Sequence, residues 1–385
     1  MHLGIDASNL RMGGGVTHLS RLLSSADPRS AGIDAVSVWA CQQTADTLPE
    51  RDWLHICQPD WVESALPVRM LAQQFRLSAE LRDRGCDVLF SPGGTLPRWP
   101  GIVSVTMSQN MLPFEPAEAA RFGRASPMWF KFKLLKMAQS RSFRQCDGLI
   151  FLTEYAKDAV QHSLGIKHAN VACIPHGIEP RFITRPRMQR PIESYTLDDP
   201  FRLLYVSVVM PYKHQIALAR AVKTIRDQGL PVAIQFVGAS WKNYGEQFRH
   251  ELNELDSEHS FLQWSGSLPF DELHAVYQQA DAFVFASSCE NLPNIMIEAM
   301  AAGLPIASSH RGPMPEVLGE AGVYFDPDSV PSITDALVTL LNDEALRTSI
   351  ANAAWQKAQT YSWERCAEET FSFIVSTKQK NGVRT

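Results

Sequence analysis

The chain has 385 residues, of which 45% are hydrophobic and 20% charged, and its formal net charge at pH 7 is −5. This length exceeds what one hydrophobic core ordinarily supports, so two domains are expected. The negative charge argues against a general nucleic-acid binder, which is usually basic.

The seven cysteines are scattered, without a C-x-x-C pair or a close Cys/His group. This pattern favours reduced thiols in a cytoplasm over a disulfide framework or a zinc site. The start M-H-L-G-I-D-A lacks the basic and long apolar regions of a signal peptide, and no apolar run is long enough to span a bilayer. The sequence therefore predicts a cytoplasmic protein.

In the first half of the chain, short β-branched runs alternate with longer stretches of helical periodicity. This alternation predicts βαβ units and a parallel sheet. The expected strands are His2–Asp6, Val36–Trp39, Asp87–Phe90, Ile102–Met107, Leu149–Leu152 and Val171–Ile174.

Prolines and charges replace the periodic pattern around Thr184–Pro200, which we interpret as an interdomain linker. We therefore predict two doubly wound α/β domains that face a central cleft, with ligands bound at the carboxyl ends of the strands. The strands expected in the second domain are Leu203–Val208, Val232–Val237, Ala282–Phe285, Pro305–Ala307 and Gly322–Phe325.

The segment 121–144 carries seven cationic residues and no acidic one, interleaved with Trp129, Phe130 and Phe132. A basic amphipathic helix with aromatic residues is typical of a surface that contacts anionic headgroups. The alternative is an ordinary helix whose lysines are solvated. The candidate membrane contacts are Arg124, Trp129, Lys131, Lys133 and Lys136.

Three glycines, residues 13–15, separate the first strand from a helix that begins near Val16. Glycines allow close backbone approach, and a helix N-terminus attracts anions. The spacing is not G-x-G-x-x-G, so the dinucleotide fingerprint is absent. His18 lies one turn into this helix and off its apolar face, where it is either an acceptor contact or an ordinary polar-face histidine.

The stretch Ser287–Pro305 places Glu290 just before a helix expected over Pro293–Ala302 and Glu298 within it. The intervening backbone N–H groups would suit a phosphate. Lys213 follows a strand and precedes a helix, where it is either a phosphate-neutralising cation or a solvated surface lysine. A ligand with hydroxyls at both ends and phosphate in the middle, such as a nucleotide sugar, would satisfy these features.

The E-x₇-E pattern, followed by A-M-A-A-G-L-P and G-P-M-P-E-V-L-G-E-A-G-V-Y-F-D-P, resembles the signature of retaining glycosyltransferases of family 4, the group 1 transferases. Three further motifs follow the family's order: G-G-G-V-T-H-L, I-P-H-G-I-E-P-R-F and V-S-V-V-M-P-Y-K-H. The resemblance covers nearly the whole chain. It implies a GT-B fold with Rossmann-like domains at 1–185 (acceptor) and 186–362 (donor), and a C-terminal helix, 363–385, that crosses back to the first domain.

Carried over by position, the resemblance implies that Glu290 contacts donor-sugar hydroxyls, Glu298 the ribose, and Lys213 the diphosphate. It implies catalytic roles for Glu290, Lys213 and Gln109, and acceptor contacts from His18, Gln109 and Asn110. The implied donor-binding set is Gly14, Gly15, Ser207, Lys213, Gly238, Glu290, Asn291, Leu292, Pro293, Asn294 and Glu298.

Two positions depart from the family pattern. Val208 stands where an arginine is common, and Gln109 stands where many members have a histidine. An amide cannot take a proton at neutral pH. In a front-face, retaining transfer, however, the leaving phosphate oxygen can accept the acceptor's proton. Fixed cations and amide dipoles then stabilise the leaving group, so no metal or other cofactor is expected, and Asp326-Pro327-Asp328 is interpreted as a turn.

The sequence thus predicts a retaining transfer of a sugar from a nucleotide sugar to a glycan. Resemblance to bacterial polysaccharide and O-antigen transferases suggests a lipid-linked acceptor, with peripheral contact to the cytoplasmic membrane face and no nucleic-acid partner. One alternative is a sugar-nucleotide epimerase or phosphorylase-like enzyme of the same fold. Another is a degenerate protein that binds a nucleotide sugar without transferring it.

Overall fold

The computed structural model describes residues 1–241 and 244–382, which form two compact units. Unit 1 comprises Met1–Phe114, Ala125–Gly177 and the segment from Ser362, and unit 2 comprises Glu115–Arg124 and Ile178–Tyr361. Residues 383–385, the end of the predicted C-terminal segment, lie outside the described residues.

The strands of unit 1 form one parallel sheet whose order reverses beside its first strand. They are β1 (His2–Asp6), β2 (Ala35–Trp39), β3 (Leu54–Cys57), β4 (Val88–Ser91), β5 (Val103–Met107), β6 (Gly148–Phe151) and β7 (Val171–Cys173), in the order β3-β2-β1-β4-β5-β6-β7. Ile5 on β1 lies between Val38 on β2 and Phe90 on β4. Ligands of such sheets bind where the order reverses, and the glycines at 13–15 follow β1 at that point.

Unit 2 has a second parallel sheet of the same winding. Its strands are β8 (Phe201–Val206), β9 (Val232–Val237), β10 (Leu262–Trp264), β11 (Ala282–Phe285), β12 (Ile306–Ser309) and β13 (Val323–Phe325), in the order β10-β9-β8-β11-β12-β13. Leu204 on β8 lies between Gln235 on β9 and Phe283 on β11. The order reverses between β8 and β11, so the loops that carry Lys213 and Glu290 leave adjacent strands.

Helices connect the strands of both sheets. In chain order they are α1 (Gly14–Ser25), α2 (Gln42–Ala45), α3 (Asp60–Glu63), α4 (Leu66–Phe75), α5 (Leu77–Asp83), α6 (Pro116–Ala120), α7 (Pro127–Gln145), α8 (Glu154–Leu164), α9 (Gln215–Asp227), α10 (Tyr244–Leu255), α11 (Leu273–Gln279), α12 (Asn294–Ala301), α13 (Met314–Leu318), α14 (Val330–Asn342), α15 (Glu344–Ala358) and α16 (Trp363–Gly382). None of the helices within the described ranges combines the length and hydropathy needed to cross a bilayer.

The strands predicted from the sequence all form, with ends shifted by at most two residues. The central ones, such as β4, β6, β11 and β12, are buried along their whole length, which explains their continuous apolar runs. The sequence did not predict β3 and β10. Both are short edge strands with exposed positions, so they lack a continuous apolar run.

The units divide the chain differently from the predicted domains 1–185 and 186–362. Residues after Gly177 pack on unit 2: the Phe182 ring meets Tyr277 edge to face at 5.6 Å, and the Thr184 amide donates to the Ala301 carbonyl at 2.9 Å. The segment Glu115–Arg124 also belongs to unit 2, although its neighbours in sequence belong to unit 1. The helix α16 packs within unit 1, against α1 and against β4, β5 and β6.

Candidate functional site

Two residues predicted to bind the donor form an ion pair in unit 2. The Lys213 ammonium donates to Glu290 Oε1, and only 8% and 16% of the two side chains is exposed. Lys213 ends a short 3₁₀ turn after β8, and Glu290 lies on the loop after β11. The Tyr205 hydroxyl donates to the Lys213 carbonyl at 2.8 Å and fixes the turn. Lys213 is therefore not the solvated surface lysine of the alternative interpretation.

The second glutamate of the motif is largely buried on α12. The Tyr277 hydroxyl donates to Glu298 Oε2 at 2.9 Å. Burial raises the pKa of Glu298 to about 7, and the hydrogen bond from Tyr277 opposes that rise. Near neutral pH this carboxyl is thus present in both protonation states. Tyr277 was not among the predicted site residues, because a tyrosine in α11 resembles any other core aromatic in sequence.

The loop between the two glutamates differs from the prediction in one respect. Pro293 (φ −79°, ψ 72°) forms an inverse γ-turn in which the Asn294 amide donates to the Leu292 carbonyl at 2.9 Å. Among the backbone N–H groups predicted to suit a phosphate, that of Asn294 is therefore already engaged within the loop. Asn291, Leu292 and Pro293 are buried and Asn294 is half-buried.

Ser207 and Gly238 come together where β8 and β9 end. Gly238 has φ +142°, and a Cβ atom there would lie 2.1 Å from the Ser207 carbonyl oxygen. Only glycine fits this approach. The Trp264 indole donates to the Gly238 carbonyl at 2.9 Å. The neighbouring Val208, at the position of the family's arginine, is exposed.

In unit 1 the residues predicted near the acceptor also meet. The Gln109 amide donates to His18 Nδ1 at 3.3 Å, and a Cβ atom on Gly15 would lie 3.5 Å from Gln109 Oε1. Asn110 accepts from the Leu112 amide at 3.1 Å, so its side chain shapes the following turn.

His18 is fully buried, not exposed on a polar face. Its ring stacks on His176 with centroids 4.7 Å apart, and His176 stacks on Trp363 at 5.4 Å. Burial, and then His176, lower the pKa of His18 well below its ordinary value. The ring is thus neutral near pH 7, with Nδ1 as the acceptor of the Gln109 hydrogen bond.

The carboxylates of the D-x-D sequence are held by arginines. Asp326 Oδ1 lies 3.1 Å from the Arg311 guanidinium, and Asp328 accepts two hydrogen bonds from Arg121 at 2.9 and 3.0 Å. Among the described residues, no group of three His, Cys, Asp or Glu side chains is arranged to hold a metal ion.

The candidate membrane residues are distributed over both units. Arg124 is exposed but belongs to unit 2, whereas the others lie on α7 in unit 1. Lys131 and Lys133 are exposed, and the Lys133 ammonium lies 3.6 Å from the centre of the half-buried Trp129 ring. Lys136 is half-buried and donates to Ser163 Oγ at 2.8 Å.

Two models of known families match the chain. Residues 12–182 match glycosyltransferase family 4, and residues 200–343 match the glycosyl transferases of group 1. Together the matches extend over most of both units.

The related proteins that match the chain are distant in sequence. The O-antigen chain mannosyltransferase B of Escherichia coli is 24% identical over 181 residues, which cover 47% of this chain and 47% of that protein. A GDP-mannose-dependent alpha-(1-6)-phosphatidylinositol monomannoside mannosyltransferase of Mycobacterium tuberculosis is 25% identical over 338 residues, or 83% of this chain and 76% of that protein.

Among solved structures, Anabaena Alr3699/HepE in complex with UDP and glucose has a TM-score of 0.69 at 17% identity, and the match covers 96% of this chain and 97% of that one. At 17% identity, this structural similarity shows a shared fold and nothing more. The family matches and the two Rossmann-like sheets agree with each other. The chain belongs to the group 1 glycosyltransferases of family 4 and has the GT-B fold.

Proposed function

We propose that this protein transfers a sugar from a nucleotide sugar to a lipid-linked glycan, with retention of anomeric configuration, in cell-surface polysaccharide synthesis. The observation that carries the proposal is the buried ion pair of Lys213 and Glu290 on adjacent loops of unit 2. A cation there can neutralise a diphosphate, and a carboxylate beside it can accept hydrogen bonds from sugar hydroxyls.

In the proposed reaction the bond from the donor's anomeric carbon to the phosphate oxygen breaks, and a bond to the acceptor oxygen forms on the same face. The acceptor's proton passes to the leaving phosphate oxygen, so the residue beside the acceptor need not be a base. Gln109 suits this scheme because its amide can orient a hydroxyl without accepting its proton. Lys213 would stabilise the negative charge on the leaving diphosphate, and no metal is required for that role.

The related proteins are compatible with either of two bases, guanine or uracil, in the donor nucleotide. The mycobacterial relative is named as GDP-mannose-dependent, whereas the Anabaena structure holds UDP. We infer that the donor is a nucleoside diphosphate sugar, which binds with its ribose near Glu298 and its base near Gly238.

The first prediction concerns the donor nucleotide. Titration with UDP, GDP, ADP and CMP should raise the melting temperature with one nucleoside diphosphate, equally in EDTA and in magnesium. Ligand at a hundredfold excess over its dissociation constant stabilises the folded state by about 2.7 kcal/mol. A shift that vanished in EDTA would contradict metal independence. No shift with any nucleotide would favour the degenerate, non-transferring alternative.

The same titration at two pH values tests the position of the ribose. An ionised carboxylate accepts hydrogen bonds more strongly than a neutral carboxyl. Because the pKa of Glu298 is about 7, the shift should be larger at pH 8 than at pH 6. A matched Glu298→Gln variant should lose this pH dependence.

We further propose that unit 1 contacts an anionic membrane surface. Exposed apolar side chains lie along one face of α7: Phe130, Leu134 (66% exposed) and Met137 (69%). They are spaced by four and three residues and lead to Arg141, whose guanidinium donates to Gln74 of α4 at 2.8 Å. The apolar face of α7 therefore runs toward α4.

The helix α4 is itself unusually apolar on its exposed side, with Leu71 (61% exposed) and Phe75 (62%) prominent. We name the exposed apolar residues of the two helices the α4–α7 surface; its members are Leu66, Val68, Met70, Leu71, Phe75, Phe130, Leu134 and Met137. The cations Lys131 and Lys133 lie exposed on α7 beside these residues. Apolar side chains bordered by cations complement a bilayer with anionic headgroups.

Vesicle binding tests this contact. The variant Leu71→Asp/Met137→Asp should bind phosphatidylglycerol-containing vesicles at least tenfold more weakly, because burying one such side chain contributes about 1.5–3 kcal/mol. Lys131→Glu/Lys133→Glu should also weaken binding, and salt should weaken the wild type. Co-sedimentation with vesicles measures both effects.

Met188 provides a matched control, because it is 91% exposed and belongs to unit 2. Met188→Asp should leave vesicle binding unchanged, and all variants should keep the wild-type melting shift with the nucleotide. If the Leu71→Asp/Met137→Asp variant bound the vesicles as tightly as the wild type, the result would contradict the membrane proposal. If the same variant instead changed the sedimenting mass without vesicles, the α4–α7 surface would be a protein interface.

A further inference from the structure

The segment Glu115–Arg124 forms a polar network with the loop that carries Glu290. Glu118 Oε2 accepts hydrogen bonds from Ser288 Oγ and, at 2.7 Å, from Arg121 Nε. Ser288 lies two residues before Glu290, in the loop that begins after β11 ends at Phe285. A single carboxylate oxygen thus joins this segment to the loop after β11.

The protons of this network can be assigned by counting donors. Ser288 Oγ has one proton and three polar neighbours: Glu118, the Tyr212 carbonyl at 3.2 Å and His214 Nε2 at 3.0 Å. The proton points to the Glu118 carboxylate, because a hydrogen bond to a charged acceptor is the strongest of the available ones. His214 Nε2 then donates to Ser288 Oγ, so the hydroxyl connects Glu118 to the residue that follows Lys213.

His214 holds this connection in an unusual backbone conformation. Its φ is +54°, in the left-handed region, and it directly precedes α9. Its side chain is buried. The hydrogen bond from His214 to Ser288 therefore joins the turn that carries Lys213 to the loop that carries Glu290, alongside the ion pair between those two residues.

Two further contacts hold the segment Glu115–Arg124 against the rest of unit 2. Arg121, which holds Glu118, donates two hydrogen bonds to Asp328. The buried Phe122 ring meets Trp241 edge to face at 4.9 Å and lies 6.1 Å from the Tyr212 ring. These contacts thus fix Glu118 independently of its hydrogen bond from the loop after β11. A side chain that positions others has to be held by its own surroundings in this way.

We propose that Glu118 is a positioning residue for the donor site: through Ser288 and His214 it fixes the loop of Glu290 and the turn of Lys213 in register. This inference rests on the proposed function, because it assigns a support to residues that are themselves proposed to bind the donor. Glu118 acts through Ser288 and need not touch the substrate.

The test compares Glu118→Ala, Glu118→Gln, Ser288→Ala and the double variant Glu118→Ala/Ser288→Ala. Hydrolysis of UDP-glucose and of GDP-mannose gives kcat, and calorimetry with UDP and GDP gives the nucleotide dissociation constants. Glu118→Ala should lower kcat about ten- to a hundredfold, since misplacement near 1 Å can cost about a hundredfold. Nucleotide affinity should change less than threefold.

Two comparisons separate positioning from mere stabilisation. Glu118→Gln keeps an oxygen that accepts from Ser288 but loses its charge toward Arg121, so it should recover most of kcat. The double variant should be no slower than Glu118→Ala, because both changes break the same connection. The exposed Glu320 provides a control in which Glu320→Gln should behave as wild type.

Additive losses in the double variant, or a kcat of Glu118→Ala within twofold of wild type, would overturn the positioning role. If Glu118→Gln were as slow as Glu118→Ala, the side chain would serve only to hold Arg121. Failure of the proposed function has a different signature: Glu290→Ala would then match wild type, or wild type would turn over neither donor.

Discussion

Replacing Glu290 by alanine should abolish transfer while nucleoside diphosphate binding survives. A preorganised polar contact that acts in the transition state is worth about a hundred- to a thousandfold in kcat, and we expect a loss of at least that size. Binding should survive because the change releases the Lys213 ammonium from its ion pair and leaves it free for phosphate. Initial rates and calorimetry with the nucleotide measure the two effects.

In the Glu290→Ala variant, a loss of folding stability has to be distinguished from a loss of catalysis. Removing one partner of a buried ion pair typically costs about 3–5 kcal/mol, because the other charge is left uncompensated. Glu290→Gln retains the shape and a hydrogen-bond acceptor for Lys213, so it should fold better and still be inactive. Glu272→Ala, at an exposed glutamate of unit 2, should transfer normally. Wild-type transfer by Glu290→Ala would refute the assigned role.

Replacing Lys213 by alanine should weaken both transfer and nucleotide binding. The change removes the cation and leaves the Glu290 carboxylate to repel a diphosphate. We expect the nucleotide dissociation constant to rise at least tenfold, about 1.4 kcal/mol, and kcat/KM to fall about a thousandfold. Calorimetry and initial rates at saturating and limiting donor measure the two quantities.

Two variants control for the loss of the charge. Lys223→Ala removes a lysine of the same unit that pairs with Asp227 on the surface of α9, and it should leave both quantities unchanged. Lys213→Ala/Glu290→Ala removes both buried charges, so its melting temperature should recover while transfer stays lost. Unchanged nucleotide affinity in Lys213→Ala would show that this lysine does not contact the diphosphate.

The sequence predicted most of the fold because its signals are local. Buried central strands produce continuous apolar runs, and Pro293 and Gly303 bracket α12, which forms over Asn294–Ala301 as expected within one residue at each end. The edge strands β3 and β10 were missed because half-exposed residues leave no such run.

Parts of the candidate site could be found for the same reason. Glu290 and Glu298 belong to one short motif, and Lys213 follows a recognisable strand. Their partners could not be found this way. Tyr277 and Ser288 have no distinguishing pattern in the sequence. Their roles depend on contacts with distant residues: Tyr277 and Glu298 are 21 positions apart, and Ser288 and Glu118 are 170 positions apart.

The sequence by itself determined the family, the two parallel-sheet domains and the identity of the charged residues at the strand ends, because these follow from residue order and periodicity. Only the tertiary structure decided that Lys213 is paired with Glu290, that His18 is buried, and that residues 115–124 join unit 2. These features depend on side chains that folding brings together from distant positions. Burial then sets their protonation and pairing, and no local pattern encodes it.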